Sequence, residues 1–523
     1  MVLVSRRATI LASLAAAGLP VLAACGKGAK GTTDGADDTV SSAASGTAAT
    51  PTNADGVSVR TSLGGQAWDV QVGPAVVRDG LTVLRVAYSP SAGKKVSLGA
   101  GLFQGGGSQP LGGLRLLSLD HSVMYPVIGG YQPSRFSSAS AGEWIQVFPV
   151  YTALPEGLDS VEVMLPRSGV VLGVPVVAPS QAGFNLEEVL REAKVDRSAE
   201  GTNRIVTRCL VADGSADTKE DEGVTTVTIS GDVTFDPGSA ALSAQADAVL
   251  ASVVEQVGRF PSGGTMSVTG HTDDVLDDAS NQTLSEQRAQ AVAQRLGQLT
   301  TLSAWTQTVS GKGETAPRVP NDSEENRQLN RRVEVLLTPV KPEEGQQGQA
   351  SQPTASASGQ AGQPTAQGPV GVGKDGVDVQ YEGSTIHVWM DQVTRVGGFL
   401  VGEVLLRSAN DVELPYGSLV LPRSFSSTIK WGDHFSRVCS LTLLKGDVYL
   451  PVAAYLVGGD DTYPLAGVMP VKIKGGEEPV RLPAVWPDTG EDKVVLDLPG
   501  GSRGPNATPV LTLRLTDIPV VQA

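Results

Sequence analysis

Three blocks of sequence decide the fold of the middle of this 523-residue chain. They read Gly270-His271-Thr272-Asp273, then Asn281-Gln282-Thr283-Leu284-Ser285-Glu286-Gln287-Arg288-Ala289, and finally Gly311-Lys312-Gly313-Glu314 through Asn330-Arg331-Arg332-Val333-Glu334-Val335. The first block ends a run of alternating residues at 265–269, which predicts a strand. In the second block, Thr283 and Glu286 are spaced as in a capping box, which predicts a helix beginning near Leu284.

The segments around these blocks complete one α/β unit. Apolar residues recur at helical spacing from Leu242 to Val257, which predicts an amphipathic helix that ends near Pro261. Alternation predicts further strands, at 225–229, 304–310 and 331–337. The order β-α-β-α-β-(short helix)-β predicts an α/β sandwich, with a mixed sheet that carries its helices on one face.

The three ordered blocks resemble the signature of the OmpA-like peptidoglycan-binding domain, which occurs in outer-membrane proteins, envelope lipoproteins and flagellar stator subunits. The resemblance covers residues 213–340 and implies the same α/β sandwich. It also implies non-covalent binding of the diaminopimelate residue in peptidoglycan stem peptides. The ligand-binding positions that it implies are Asp273 and Arg288 as the principal pair, with Asn281, Thr272, Asp236, Arg331 and Arg332.

The charges at these positions suit the implied ligand. Diaminopimelate offers an ammonium and a carboxylate on one stereocentre, so Asp273 can accept from the ammonium while Arg288 holds the carboxylate bidentately. The start of the helix near Leu284 adds backbone donors that favour an anion. A structural alternative is that Asp273 and Arg288 only form an internal ion pair. The loop 275–278 is acidic and less glycine-rich than the family pattern, so its shape is an open question.

The first 25 residues have the features of a lipoprotein export signal. Arg6 and Arg7 supply positive charge before the apolar stretch 8–24, and Leu22-Ala23-Ala24-Cys25 resembles a lipobox. We therefore expect lipidation of Cys25 and a location in the cell envelope, on the outer face of the plasma membrane or on the outer membrane. Ordinary signal cleavage is the alternative, and both Sec and twin-arginine export stay open.

Composition divides the rest of the chain into modules and linkers. Residues 26–56 are rich in Gly, Ala, Ser, Thr and Asp, and residues 341–373 in Gln, Gly, Pro, Ser and Ala, so both predict flexible linkers. Residues 57–212 predict a β-sandwich with a connector that includes a short helix at 186–193 and a strand at 203–211. An acidic linker is expected at 213–222, and 374–523 predicts a C-terminal β-sandwich.

Short echoes suggest that the two Ig-like β-sandwich modules are divergent copies of one another. The run 114–117 precedes 123–127 in the first module, as 441–444 precedes 448–452 in the second. Val174-Pro175-Val176-Val177 likewise echoes Ile518-Pro519-Val520-Val521. The predicted architecture is therefore multidomain, with a central OmpA-like α/β sandwich between two related β modules.

Charge and residue usage exclude several classes of function. The net charge of −15, from 40 Lys+Arg against 55 Asp+Glu, argues against nucleic acid as a partner. Four His and three Cys show no metal-ligand spacing, and we expect no cofactor. His271 is expected to be structural. Cys209 and Cys439 are expected to be small buried hydrophobes, although pairing across domains is a second option.

These features favour a lipid-anchored, non-catalytic protein that binds peptidoglycan and tethers a membrane to the cell wall. A second hypothesis is an adhesion or assembly scaffold whose β-sandwiches bind envelope proteins, with wall binding only for positioning. An enzyme such as a wall hydrolase is the third. It lacks support because the sequence shows no nucleophile–base arrangement and no metal triad.

Overall fold

The N-terminal β region, residues 56–177, is built from strands whose apolar residues fill two layers of core. The computed structural model describes residues 56–63, 65–93, 95–97, 111–132, 138–221, 223–340, 362–419, 438–457, 461–467, 469–476, 478–500 and 509–523. The export signal, Cys25 and the first linker therefore lie outside the described residues. The strands of this region are β1 Val57–Leu63, β2 Gln66–Arg78, β3 Leu81–Pro90, β4 Val96–Ser97, β5 Arg115–Ser118, β6 Val123–Tyr125, β7 Gly129–Tyr131, β8 Ser138–Ala139, β9 Ile145–Thr152, β10 Ser160–Leu165 and β11 Gly169–Val177.

The predicted connector is confirmed, with a short helix α1 at Leu186–Glu192 and a strand β12 at Asn203–Val211. β12 is followed by the central α/β domain. Its elements are β13 Ala216–Asp221, β14 Val224–Ser230, α2 Gly231–Thr234, α3 Ala246–Arg259, β15 Gly264–His271, α4 Asp278–Leu299, β16 Trp305–Gly311, α5 Glu324–Asn330 and β17 Arg332–Pro339.

The sheet of the central domain is mixed, as predicted. β13, β14, β17 and β15 pair antiparallel in that order, and β16 adds to β15 in parallel. Val227, Val268 and Val335 point into a core that they share with Leu250 of α3 and Leu296 of α4. The periodicity of the sequence thus predicted β14, β15, β16 and β17 and both long helices, but not β13.

Two predicted boundaries in this domain are wrong. The second long helix begins at Asp278 rather than near Leu284, because the side chain of Asp277 accepts from the backbone N–H of Ser280 and caps it there. The supposed acidic linker 213–222 contains β13, which pairs with both β12 and β14. Charged residues fit that strand because Arg318 and Arg259 neutralise two of its carboxylates.

The C-terminal β region begins within the second predicted linker. Residues 341–361 lie outside the described ranges, but Val370–Val372 form a strand, so the predicted linker ends too late. The strands here are β18 Val370–Val372, β19 Val377–Tyr381, β20 Ser384–Trp389, β21 Val393–Val396, β22 Phe399–Ser408, β23 Val412–Leu414, β24 Thr442–Lys445, β25 Val448–Leu450, β26 Ala454–Val457, β27 Asp461–Pro464, β28 Val471–Ile473, β29 Val480–Pro487, β30 Lys493–Leu498 and β31 Leu513–Gln522.

The same pattern of strand pairing occurs in both β regions. β5–β6 and β24–β25 are hairpins at the two echoed runs, and each first strand pairs with β10 or β30. Those strands pair in turn with β11 and β31, which contain the second echo. β11 lies parallel to β2, and β31 parallel to β21. That either region is an Ig-like sandwich with the predicted domain limits stays a prediction.

β12 connects all three parts of the described chain. It pairs antiparallel with β6 of the N-terminal β region, with β25 and β26 of the C-terminal β region, and with β13 of the central domain. A separate apolar cluster joins the two β regions, with Met164 on one side and Phe399 and Val485 on the other. Backbone hydrogen bonds of β12 therefore join the β regions to the central domain, and an apolar cluster also joins the two β regions to each other.

The last two features of the fold concern the cysteines and the hydropathy of the helices. Cys209 and Cys439 are buried and form no disulfide, which confirms their assignment as small buried hydrophobes. None of the helices in the described ranges combines sufficient length with the hydropathy that a bilayer-spanning segment requires.

Candidate functional site

Two glycines bring α4 against the ends of β15 and β16. A Cβ at Gly270 would collide with the backbone carbonyl of Ser285, and one at Gly311 with the hydroxyl of the same serine. The Ser285 hydroxyl accepts from the backbone N–H of Gly313 at 2.9 Å, which ties the helix to the following loop. This close approach explains the glycines of the first and third sequence blocks. It also sets the position of Arg288, less than one turn further along α4.

Arg331 is the centre of an ion-pair network at the edge of this site. Its Nη1 donates to Asp273 at 2.7 Å. Its Nε and Nη2 donate bidentately to Asp232 at 2.7 Å each, and Nη2 also donates to Glu324 at 2.7 Å. The hydrogen bond with Asp232 is the largest cause that raises the pKa of Arg331. Four of the five N–H donors of the guanidinium are therefore engaged, and the one on Nη1 fixes the orientation of Asp273.

Arg288 differs from Arg331, because its guanidinium has no ion-pair partner within the described part of the chain. The residue is 4% exposed. Its Nε donates to the carbonyl of Ser239 at 3.0 Å, and its guanidinium lies 5.2 Å from the ring centroid of Phe235. Its terminal nitrogens, Nη1 and Nη2, have no acceptor among those residues.

Burial affects the pKa of Arg288 more strongly than the neighbouring charged side chains do. Burial and the positive charge of Arg331 lower the pKa of this guanidinium, whereas the carboxylates of Asp232 and Asp273 act in the opposite direction. A buried, unpaired cation is costly unless an anion compensates it. The alternative that Asp273 and Arg288 only form an internal ion pair is wrong, since Arg331 is the ion-pair partner of Asp273.

Asn281 and Thr272 lie beneath this site rather than open to it. Asn281 is 1% exposed, and its Nδ2 donates to the carbonyls of Asp273 and Leu276 and to the carboxylate of Glu314. These bonds hold the loop that carries Asp273. Thr272 is 2% exposed, and its backbone N–H donates to the carbonyl of Gly313 at 2.9 Å. Both residues therefore position the site.

Asp236 and Arg332 are not brought into the network. Asp236 is exposed in the turn that follows α2, where its backbone bonds to Ala241. Arg332 opens β17 and, because neighbours on a strand alternate, lies on the other side from Arg331. It donates to Glu334 at 2.7 Å and is buried. Of the two candidate arginines, the structure places Arg331 beside Asp273.

Sequence reasoning missed four contributors to the site, which are Asp232, Phe235, Ser239 and Glu324. They hold or flank the two arginines, but three of them lie in the segment 231–239, which carries no periodic pattern. A signal did exist for Asp232, since it lies two residues after the end of β14, where polar side chains can collect at the sheet edge. Metal-ligating side chains form no cluster of three or more in the described ranges.

His271 lies on the side of β15 that faces Arg332 and Glu334. It is 4% exposed, neither ring nitrogen has a hydrogen-bond partner, and its Nε2 is 3.8 Å from Glu334. Burial, and next the charge of Arg332, lower the pKa of His271 to about 4, although Glu334 acts against the shift. These features agree with a structural role for this residue.

We expect His271 to make the stability of the protein fall below neutral pH. An imidazole in the unfolded chain takes up a proton near pH 6.5, but His271 in the folded chain does so only near pH 4. The contribution of neutral His271 to the free energy of unfolding is therefore fully present above pH 6.5, and it is lost as the pH falls from 6.5 to 4. Between pH 7.5 and 5.0 the free energy of unfolding should fall by about 2 kcal/mol from this group.

Urea unfolding of the parent and of His271→Gln at the two pH values checks this. The variant should show a fall that is smaller by about that amount. His387→Gln is the control, because His387 is partly exposed and hydrogen-bonded to Asp378. An unchanged pH dependence in His271→Gln would contradict the assignment.

Comparisons with known proteins identify the family of the central domain. Residues 234–331 match the model of the OmpA family and form an OmpA family domain. The chain is 36% identical over 104 residues to outer membrane porin F of Pseudomonas aeruginosa, which covers 20% of this chain and 29% of that protein. The chain is 37% identical over 111 residues to photosystem I P700 chlorophyll a apoprotein A2 of Gloeobacter violaceus. That match covers 20% of this chain and 12% of that protein. The chain thus spans less than a third of either curated relative.

Solved structures also match part of this chain. The cell wall anchor of the T6SS from Pseudomonas aeruginosa is 31% identical, with 24% of this chain and 89% of that chain covered and a TM-score of 0.22. The peptidoglycan-associated lipoprotein from Burkholderia pseudomallei is 24% identical, with coverage of 20% and 88% and a TM-score of 0.18.

Proposed function

We propose that this protein binds peptidoglycan non-covalently, through the diaminopimelate residue of the stem peptide. The observation that carries the proposal is the buried guanidinium of Arg288, whose terminal nitrogens have no acceptor in the described residues. These two nitrogens can therefore donate to an anionic ligand group. Asp273 lies close enough for its carboxylate to act on the charge of Arg288, so the ligand must also tolerate or use a negative neighbour.

A zwitterion meets both conditions. The diaminopimelate carboxylate would accept two hydrogen bonds from Nη1 and Nη2 of Arg288, and the ammonium would donate to Asp273. Phe235 holds the plane of the guanidinium from one side, while Arg331 fixes the carboxylate of Asp273. Each ligand charge then meets a side chain that is already oriented, which lowers the entropy lost on binding.

The attachment to a membrane forms the second half of the proposal. Lipidation of Cys25 would hold the N-terminus at a membrane while the central domain binds the wall, so that the chain tethers one to the other. One curated relative of the central domain is named as an outer membrane protein, which supports a place in the cell envelope. The proposal assigns no catalytic residue.

A second function is favoured by one specific observation. β12 pairs with strands of both β regions and with the central domain, so the β regions are firmly joined to the candidate wall-binding site. Such a body could present envelope-protein binding surfaces at a fixed position relative to the wall. Deleting residues 374–523 would abolish partner binding in that case, and it would remove the strands that pair with β12.

Binding of the full chain to purified sacculi tests the proposed function. The Asp273→Asn variant should lose at least about tenfold in affinity, because a neutral amide cannot neutralise the ammonium of the ligand. Asp274→Asn is the matched control, since this neighbouring carboxylate is 42% exposed and pairs with Arg327 instead. Equal binding of the parent and Asp273→Asn in a co-sedimentation assay would contradict the proposal.

A further inference from the structure

Two large apolar side chains stand exposed on the loop between Asp273 and α4. Val275 is 67% exposed and Leu276 is 48% exposed. Exposed single apolar residues are common on protein surfaces, but two adjacent ones beside a candidate ligand site call for an explanation. They stand directly before the N-cap of α4.

The backbone of this loop is held in place at each step. The backbone N–H of Val275 donates to the carboxylate of Asp273 at 3.3 Å, and the carbonyl of Leu276 accepts from the side chain of Asn281 at 3.0 Å. Asp274 pairs with Arg327 at 3.0 Å, and Asp277 caps α4. The two apolar side chains are thus presented on a fixed backbone, which reduces the entropy cost of a contact with them.

Val275 and Leu276 lie close to the candidate ligand site. Val275 bonds to the same carboxylate that would accept from the ammonium of diaminopimelate. A ligand that engages Asp273 therefore extends over or alongside this loop. The charged side chains of the loop are all acidic, and two of them are already engaged with Arg327 and Ser280. The loop consequently offers a neighbouring ligand group either apolar contact or negative charge, and no cation.

We infer that Val275 and Leu276 determine specificity by packing against the uncharged, methyl-bearing residue next to diaminopimelate in the stem peptide. This inference rests on the proposed function, because it takes diaminopimelate as the group bound by Asp273 and Arg288. In peptidoglycan stems that residue is an alanine. A methyl group fits an apolar, acidic loop, whereas a terminal carboxylate at the same place would be repelled by it.

Binding of two ligands to the full chain separates this role from the zwitterion site. The ligands are free meso-diaminopimelate and a tetrapeptide stem, amidated at its C-terminus, in which D-alanine follows diaminopimelate. The double variant Val275→Ser/Leu276→Ser should bind the tetrapeptide about five- to tenfold more weakly than the parent, because it buries less apolar area with the methyl group. Its affinity for free diaminopimelate should be unchanged, since both serines keep the backbone N–H and C=O groups that hold the loop.

A matched control carries the same chemical change elsewhere on the domain. Leu336 is 39% exposed and Val340 is 61% exposed, and both lie toward the end of β17 that is remote from Arg331. Leu336→Ser/Val340→Ser should bind both ligands as the parent does. Isothermal titration calorimetry measures all four pairs of variant and ligand.

The possible outcomes separate the two proposals. Equal tetrapeptide affinity for the parent and the loop variant would overturn the specificity role and leave the proposed function standing. An equal loss for both ligands would also overturn it, because the loop would then act only by holding Asp273. No binding of either ligand by the parent would overturn the proposed function, and the inference with it.

Discussion

Arg288→Met is expected to reduce the affinity for diaminopimelate-containing ligands at least about a hundredfold. The ligand carboxylate would lose two charge-assisted hydrogen bonds and would lie beside Asp273 and Asp232 with no cation of its own. Methionine fills a similar volume, so the shape of the site should be kept. Calorimetric titration with a muropeptide measures the loss.

The same substitution should leave the stability of the protein unchanged or should raise it. Arg288 is buried without an ion-pair partner in the described chain, and burial lowers the pKa of its guanidinium. Replacing such a charge with an apolar side chain of similar size removes a desolvation cost, although the carbonyl of Ser239 loses its donor. Opposite effects on affinity and stability would mark Arg288 as a residue kept for binding.

A control variant exists on the same helix. Arg295 pairs with Asp247 on the surface of α4 and is partly exposed. Arg295→Met should bind the muropeptide as the parent does and should leave the free energy of unfolding nearly unchanged, because an exposed ion pair contributes little to stability. If Arg288→Met bound normally, the assigned ligand position would be wrong. Unfolding of the variant would contradict the predicted effect on stability.

The sequence predicted the elements of the central domain well because their cores are periodic. Val227 and Val268 alternate with polar neighbours, and the apolar stripe of α3 recurs at helical spacing. The start of α4 was missed because Thr283 and Glu286 imitate a capping box, whereas the true cap is Asp277. The Thr283 hydroxyl instead donates to the carbonyl of Ala279 within the helix.

Contacts between residues far apart in sequence set the limit of such prediction. The acidic composition of residues 213–222 predicts a linker, because the arginines that neutralise two of its carboxylates lie far away in the sequence. In the fold, Asp217 pairs with Arg318 and Glu220 with Arg259. The candidate site shows the same limit. Sequence blocks selected Asp273 and Arg288, but only the fold shows that Arg331 is the partner of Asp273.

Because side chains alternate along a strand, the side chains of Arg331 and Arg332 must point to opposite sides. Alternation alone does not identify which of the two faces the ligand. The structure gives each a different set of partners, with three carboxylates for Arg331 and Glu334 for Arg332. Arg331 and Arg332 can therefore serve as controls for one another. Both are arginines with short ion pairs and low exposure, yet only one touches the candidate site.

Arg331→Gln is expected to reduce both binding and stability. Removal of the guanidinium leaves Asp273, Asp232 and Glu324 close together without their common cation, so Asp273 loses its fixed orientation and mutual repulsion increases. The loss of stability should be about 2–3 kcal/mol, below the value for a fully buried pair because the side chain is 18% exposed. The affinity for a muropeptide should fall at least about tenfold.

Arg332→Gln should cost a similar amount of stability, because Glu334 loses its partner and His271 lies beside it. Its affinity for the muropeptide should stay within about twofold of the parent. Urea unfolding and calorimetric titration of the two variants, measured below their unfolding transitions, give both quantities. An equal loss of affinity in the two variants would mean that binding follows the stability of the domain. A normal affinity in Arg331→Gln would show that the fixed orientation of Asp273 is not needed for the ligand.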